Sequence, residues 1–252
     1  MPAWRDAEAY RPLIALDRSG WAWEWLRRDP AYRRAARQGL DSSPGPDDRQ
    51  ANARAWGLHR FEDPALSAER ARPIWTRQVS RFVLEAIARP GDGEGFDLAV
   101  IARRSTSVPG VGRLVHHLIS NGHTSLRIDL VGSALTAAPV GLSFEVAGSA
   151  QLRAHIAMLE QLDGLSRSGR LIQAAPVSAA RGARLARMLR VRDALAQDAP
   201  QRLIAEHLFD ASVADPHWRI ERPTVRSQVQ RLVRNAKAMA AGGYWTLLSE
   251  KE

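Results

Sequence analysis

The clearest periodic stretch lies near the C-terminus. From Thr224 to Ala241, apolar residues fall at Val225, Val229, Leu232, Val233, Ala236 and Ala240. That is the i, i+4, i+7, i+8 rhythm of a helix that buries one face. At about 100° per residue, Arg226, Ser227, Gln230, Arg231, Arg234 and Lys237 take the other face. Upstream, Pro200 suits the first turn of a helix, where its missing N–H costs nothing. Gln201–Phe209 then predicts a short helix with Leu203, Ile204, Leu208 and Phe209 apolar. Asp210–Pro223 reads as a long turn pinned by Trp218 and Ile220, with Thr224 as N-cap of the last helix. Ala179–Gln197 predicts another helix. Its buried side is Leu185, Met188, Leu189, Val191 and Leu195, and Arg181, Arg184, Arg187, Arg190 and Arg192 decorate the rest.

The middle of the chain mixes periods. Thr124–Val131 and Gly141–Ala147 alternate as strands do, and Phe96–Arg103 is mostly apolar, which also suits a strand. Val111–Ser120, between them, reads as a helix, as does the amphipathic Gln151–Leu162. Ile74–Phe82 is strand-like, Ala65–Arg72 a connection, and Asn52–Leu58 helical. Residues 90–95 form a plain turn that lacks the glycine spacing of a dinucleotide site. Near the N-terminus, Asp17–Gly20 reads as a cap or turn before a helix through Trp21–Arg28. Asp29 and Pro30 break it, and a second helix covers Ala31–Gln38. The expected fold is α+β and mainly α. Residues 1–40 form a small Trp-rich helical domain, 41–95 linker and connecting segments, and 96–252 a small sheet followed by a helix-turn-helix.

Charge sharpens this picture. The 252 residues carry 36 basic and 27 acidic side chains, a net +9, and only Lys237 and Lys251 are lysines. Between Ser178 and Ala240 there are twelve basic against six acidic residues, +6, so about two-thirds of the excess lies in that quarter. Such concentration is the electrostatic footprint of a nucleic-acid binder, and double-stranded DNA is the expected partner. Arg226, Ser227 and Gln230 occupy the end of the last helix that would meet base edges. Arg231, Arg234 and Lys237 are better spaced for phosphates.

Other chemistry is thinly represented. With no cysteine there is no disulfide, zinc finger or thiol catalyst. His116 and His117 would point to different faces of a helix. His123 lies past an Asn-Gly turn, no carboxylate completes a set nearby, and His155 with Glu160 fares no better. No nucleophile–base pair emerges, so neither an enzyme nor a cofactor or metal site is expected. No apolar run approaches a membrane span and the start is not a signal peptide, so the expected location is cytoplasmic, at the nucleoid, with no membrane partner. The cluster Trp4, Tyr10, Trp21, Trp23, Trp25 and Tyr32 reads either as a small aromatic core or as a docking surface.

Several motifs together resemble a known family. They are RGARLARMLRVRDAL, PQRLIAEHLFD, the long turn, TVRSQVQRLVRNAKAM and the terminal GGYWTLL, within about Gly141–Leu248. This segment resembles the extended-turn helix-turn-helix domain of conjugative-element regulators. Trp4–Arg34, with GWAWEWLRRDPAYR, resembles the N-terminal domain that accompanies it in FseA-type activators of excision genes. The resemblance implies a sequence-specific transcriptional activator of excision or transfer genes of an integrative and conjugative element. It implies DNA contacts by Arg222, Arg226, Arg231, Arg234 and Lys237; the reading of the helices themselves adds Thr224, Ser227, Gln230, Arg181, Arg184 and Arg187 as candidates. It places Trp21, Trp23 and Trp25 on an interdomain or partner face. RNA polymerase and an acidic single-domain antiactivator are the further candidate partners. An antiactivator or interaction module of the same system, and a replication or partition protein of mobile DNA, are the rival readings.

Overall fold

The computed structural model describes residues 4–41, 52–90, 96–97, 105–132, 140–146, 148, 152–171, 177–209 and 222–249. It is α+β and mainly α. Its contacts divide it into two compact units that cut across chain order: Met1–Leu16 with Val177–Tyr244, and Asp17–Pro176 with Trp245–Glu252.

The larger unit begins with α1 (Arg18–Leu26) and α2 (Pro30–Asp41). Asp17 caps α1, accepting from the Gly20 N–H at 2.7 Å. Its other oxygen accepts from the backbone N–H and hydroxyl of Ser125 at 2.7 and 2.6 Å, so one carboxylate joins helix and sheet. Burial pushes its pKa up, against these hydrogen bonds. Trp21, Trp23 and Trp25 are all buried, with at most 1 % of their surface exposed. The Trp23 N–H donates to the Leu66 carbonyl at 3.1 Å and its ring meets Tyr32 edge-on at 5.7 Å. All three rings are thus enclosed within this chain. Glu24 lies fully buried among them. It accepts from Arg27 Nε at 2.9 Å, from Arg28 Nη1, and from the Ala68 N–H at 2.8 Å. Burial alone would raise its pKa, but Arg28 and Arg27 outweigh that and hold the carboxyl below its usual range.

Five strands follow: β1 (Leu84–Pro90), β2 (Ser105–Pro109), β3 (Leu114–Ser120), β4 (Ser125–Val131) and β5 (Val140–Glu145). Their order is β2-β3-β4-β1-β5, with β1 parallel to β4 and the other pairs antiparallel. Leu84, Ala86, Ile119, Leu126, Ile128, Leu130 and Val140 pack on Met158, Leu162 and Leu165 of α3 (Leu152–Ser168). On the opposite face Leu118 and Val108 meet Ile74.

Three expectations need correction here. Val111–Ser120 is not a helix; its second part is β3. Leu114, Val115, Leu118 and Ile119 mimic a helical stripe because the centre of β3 is buried on both faces, which erases the alternation of a half-exposed strand. Ile74–Phe82 is no strand either. It holds one bridge, Leu58 to Trp75, and the strand starts later, at Leu84. β1 was missed because small alanines at 86 and 88 occupy its α3-facing side and Ile87 is 47 % exposed. The β4 and β5 expectations hold within a residue or two. Of Phe96–Arg103 only Phe96 and Asp97 are among the described residues, with Phe96 bridging Val140.

The smaller unit contains a 3-10 helix (Glu8–Ala15), α4 (Ala179–Leu195), α5 (Gln201–Leu208) and α6 (Pro223–Ala240). α4 buries Leu185, Ala186, Met188, Leu189, Arg190, Val191, Asp193 and Ala194, and its second half, Met188–Ala194, has no exposed residue. It packs on α6 and on the 3-10 helix, while α5 packs on α6. α7 (Thr246–Ser249) belongs to the larger unit.

Candidate nucleic-acid interface

α6 is anchored by Val229, Val233 and Ala236, all buried. Its other side is open: Arg222, Thr224, Arg226, Ser227, Gln230, Arg231, Arg234 and Lys237 are exposed. From Arg226 to Lys237 these polar side chains span roughly 140° of arc at about 100° per residue. The helix contains four cations and no carboxylate. Among the described residues, none of Arg226, Arg231, Arg234 and Lys237 has an acidic partner.

Thr224 is not the N-cap. Arg222 takes that position without a side-chain capping bond, Pro223 enters the first turn, and Arg226 N–H donates to the Arg222 carbonyl at 3.1 Å. Proline's fixed φ suits that first turn, so the helix starts one residue earlier and Thr224 projects from it into solvent. The turn at Asp210–Pro223, with Trp218 and Ile220, lies outside the described residues except at 222 and 223.

The arginines of α4 divide. Arg184 and Arg187 are exposed and Arg181 half-buried. Arg190 does not decorate the surface. It is buried, and its guanidinium donates to the carbonyls of Trp4 at 3.0 Å and Arg5 at 3.3 Å. Burial lowers its pKa, while Tyr10 nearby works the other way. Arg192 is half-buried beside Asp193. The exposed positions 180, 183, 184 and 187 form one stripe on the first part of α4, whereas no residue from Met188 to Ala194 is exposed, and the even spacing of the five arginines hides that change.

A buried polar cluster lies in the larger unit. His116 and Asp129 are directly paired across β3 and β4, 2.7 Å apart. Arg127 donates to Asp129 at 2.5 Å and to the Trp75 carbonyl, and its Nη2 lies 3.0 Å from His116 Nδ1, whose proton goes to Asp129. The His59 ring lies 3.7 Å from that of His116. A carboxylate does lie beside His116, although it completes no metal-ligand set among the described residues. Asp129 is distant in sequence and is brought opposite by strand register, which the helical reading of 111–120 concealed. Burial would raise the Asp129 pKa, but the His116 hydrogen bond and Arg127 hold it low. His117 points to the α3 side and meets Ser107 Oγ at 2.8 Å. Among the described residues, no group of His, Cys, Asp and Glu is placed to hold a metal ion. Nor is any helix among them long and apolar enough to cross a membrane.

Two family models match the chain. Residues 140–249 match the T6SS transcription factor, DNA binding domain, and residues 3–61 match the proteobacterial transcriptional regulator-like domain. The first match contains α6 and its basic face; the second contains the 3-10 helix, α1 and α2. No curated protein and no solved structure matches the chain. Together these findings define the class: the protein is a DNA-binding transcriptional regulator.

Proposed function

We propose that the protein is a sequence-specific transcriptional activator that reads DNA with α6 and acts on excision or transfer genes of a mobile conjugative element. The observation that carries the DNA-reading part is the exposed face of α6, with four cations and no carboxylate. Arg222 and Arg226 sit at the positive end of the helix dipole, where a cation is disfavoured and an anion favoured. Such an arrangement is relieved by a phosphate backbone. Arg226, Ser227 and Gln230, with Thr224 beside them, contact base edges. Arg222, Arg231, Arg234 and Lys237 hold phosphates, and Arg181, Arg184 and Arg187 extend that contact. The mechanism is binding, with no cofactor and no catalytic step. RNA polymerase recruitment, control by an acidic antiactivator and a cytoplasmic, nucleoid-associated location belong to the same reading, which the motif resemblance supports.

A second reading concerns the target genes. The matching DNA-binding family is described by a type VI secretion transcription factor, which favours secretion genes as targets of the same α6 surface. Fluorescence anisotropy against promoters of neighbouring mobile-element genes, secretion genes and scrambled DNA separates the two. Tight binding to one promoter set, coupled to increased transcription from it in a reporter strain, selects that set. Binding to scrambled DNA as tight as to every promoter would defeat both.

A further inference from the structure

The DNA-binding unit is discontinuous, and its missing piece comes from the far end of the chain. Residues 4–16 cluster with α4–α6 in one unit. Trp4 is buried, its ring 5.1 Å from that of His207 on α5. The Tyr10 hydroxyl donates to Asp193 Oδ2 at 2.7 Å in a buried contact, and Arg190 holds the carbonyls of Trp4 and Arg5. Ile14 crosses α4 at Gly182, where a side chain's first carbon would come within 3.1 Å of it. We infer that residues 4–16 are a docked strap that keeps α4–α6 in their DNA-binding arrangement, so that strap docking controls DNA affinity without touching DNA.

The physical case rests on α4. This helix packs against α6, and the strap covers it at Gly182, Arg190 and Asp193. Without the strap, Gly182, Arg190 and Asp193 would face water, and α5 would lose the Trp4 contact at His207. The docking is also of a kind that can be released. Among the described residues the buried Trp4 indole N–H has no acceptor, which weakens the fit. The strap leads directly into Asp17, the first residue of the other unit, so an event there has a covalent route to it. Binding by α6 is the reading on which the affinity part of this inference rests.

The test uses the 252-residue chain and two variants that leave the α6 surface untouched. Trp4→Ala loosens the strap and leaves its seat open. Gly182→Leu keeps α4 a good helix former but fills the seat where Ile14 lies. Hydrogen exchange reports strap release at residues 4–16, and anisotropy reports DNA affinity at several salt concentrations. The expected result is a loss of at least about tenfold in affinity in both variants, with the salt slope unchanged because the phosphate contacts are the same. A synthetic peptide of residues 1–16 restores Trp4→Ala and not Gly182→Leu. Protection in the sheet and α3 should stay as in the parent chain. A released strap with affinity within twofold of the parent, or no rescue of Trp4→Ala, overturns the inference. If the parent chain binds no DNA, the α6 reading fails separately. Exchange in α5 and α6 then decides: lost protection in both variants supports the strap's role, and unchanged protection overturns it.

Discussion

At the scale of single residues, the larger unit depends on buried charges that are safe only while paired. Glu24 is enclosed with Arg27 and the fully buried Arg28. Glu24→Gln keeps the shape and removes the charge that both guanidinium groups face. Stranding a buried charge in this way costs about 3–5 kcal/mol, which urea unfolding followed by tryptophan fluorescence will show. A change below about 1 kcal/mol would mean the pair is better hydrated than its burial implies. His59 supplies a pH signature. Burial, then His116 and Arg127, lower its pKa from 6.5 to about 3. The unfolded chain therefore binds this proton near pH 6.5 and the folded chain only near pH 3. Stability is highest above pH 6.5 and falls as pH drops from 6.5 towards 3, by up to about 1.4 kcal/mol per pH unit for one proton. His59→Gln should flatten that slope by nearly one proton in urea titrations at pH 4–7. An identical slope in the variant would assign the proton to another group.

At the scale of elements, what could be read depended on whether a segment shows one wet face. α6 does, so its stripe and its exposed cations were both visible in the sequence, and only its first residue was misplaced. Asp17 and Pro30 announce α1 and α2 through local capping and breaking chemistry, which needs no tertiary knowledge. β3 does not show a wet face. Its buried centre and its His-His pair gave a helical rhythm, and the error propagated to the missing partner of His116. α4 failed at a finer level: the helix was correct, but exposed and buried arginines look alike in sequence. The Trp4 and Tyr10 contacts with α4 and α5 join residues nearly two hundred positions apart, and no local pattern encodes that. The β3–β4 turn offers a test of the strand assignment. Gly122 has φ +97°, and an added side chain would come within 2.7 Å of the Glu69 carbonyl oxygen. Gly122→Ala should therefore cost more than about 1 kcal/mol. A helix over 111–120 would have no need of that turn, and the substitution would then be neutral.

At the scale of the whole molecule, the question is how a net charge of +9 becomes selective binding instead of general adhesion to any polyanion. On the proposed reading, α6 separates the two tasks along one helix. Arg231, Arg234 and Lys237 lie beyond the first two turns, and each phosphate they neutralise releases counterions worth roughly 0.9 in the slope of log affinity against log salt. Replacing all three with alanine should reduce the magnitude of that slope by about 2.7, and should weaken promoter and scrambled DNA alike. Arg226 lies nearer the start of the helix, where base edges are met. Arg226→Ala should leave the slope nearly unchanged while removing about 1–3 kcal/mol of preference for the cognate site. All of these residues are exposed, so the melting temperature should stay within a degree or two in both variants, as expected for surface changes. If Arg226→Ala instead lowers the slope by about 0.9 and leaves the preference intact, this arginine is one more phosphate contact. Base reading then moves to Ser227 and Gln230, and the charge of α6 serves affinity alone.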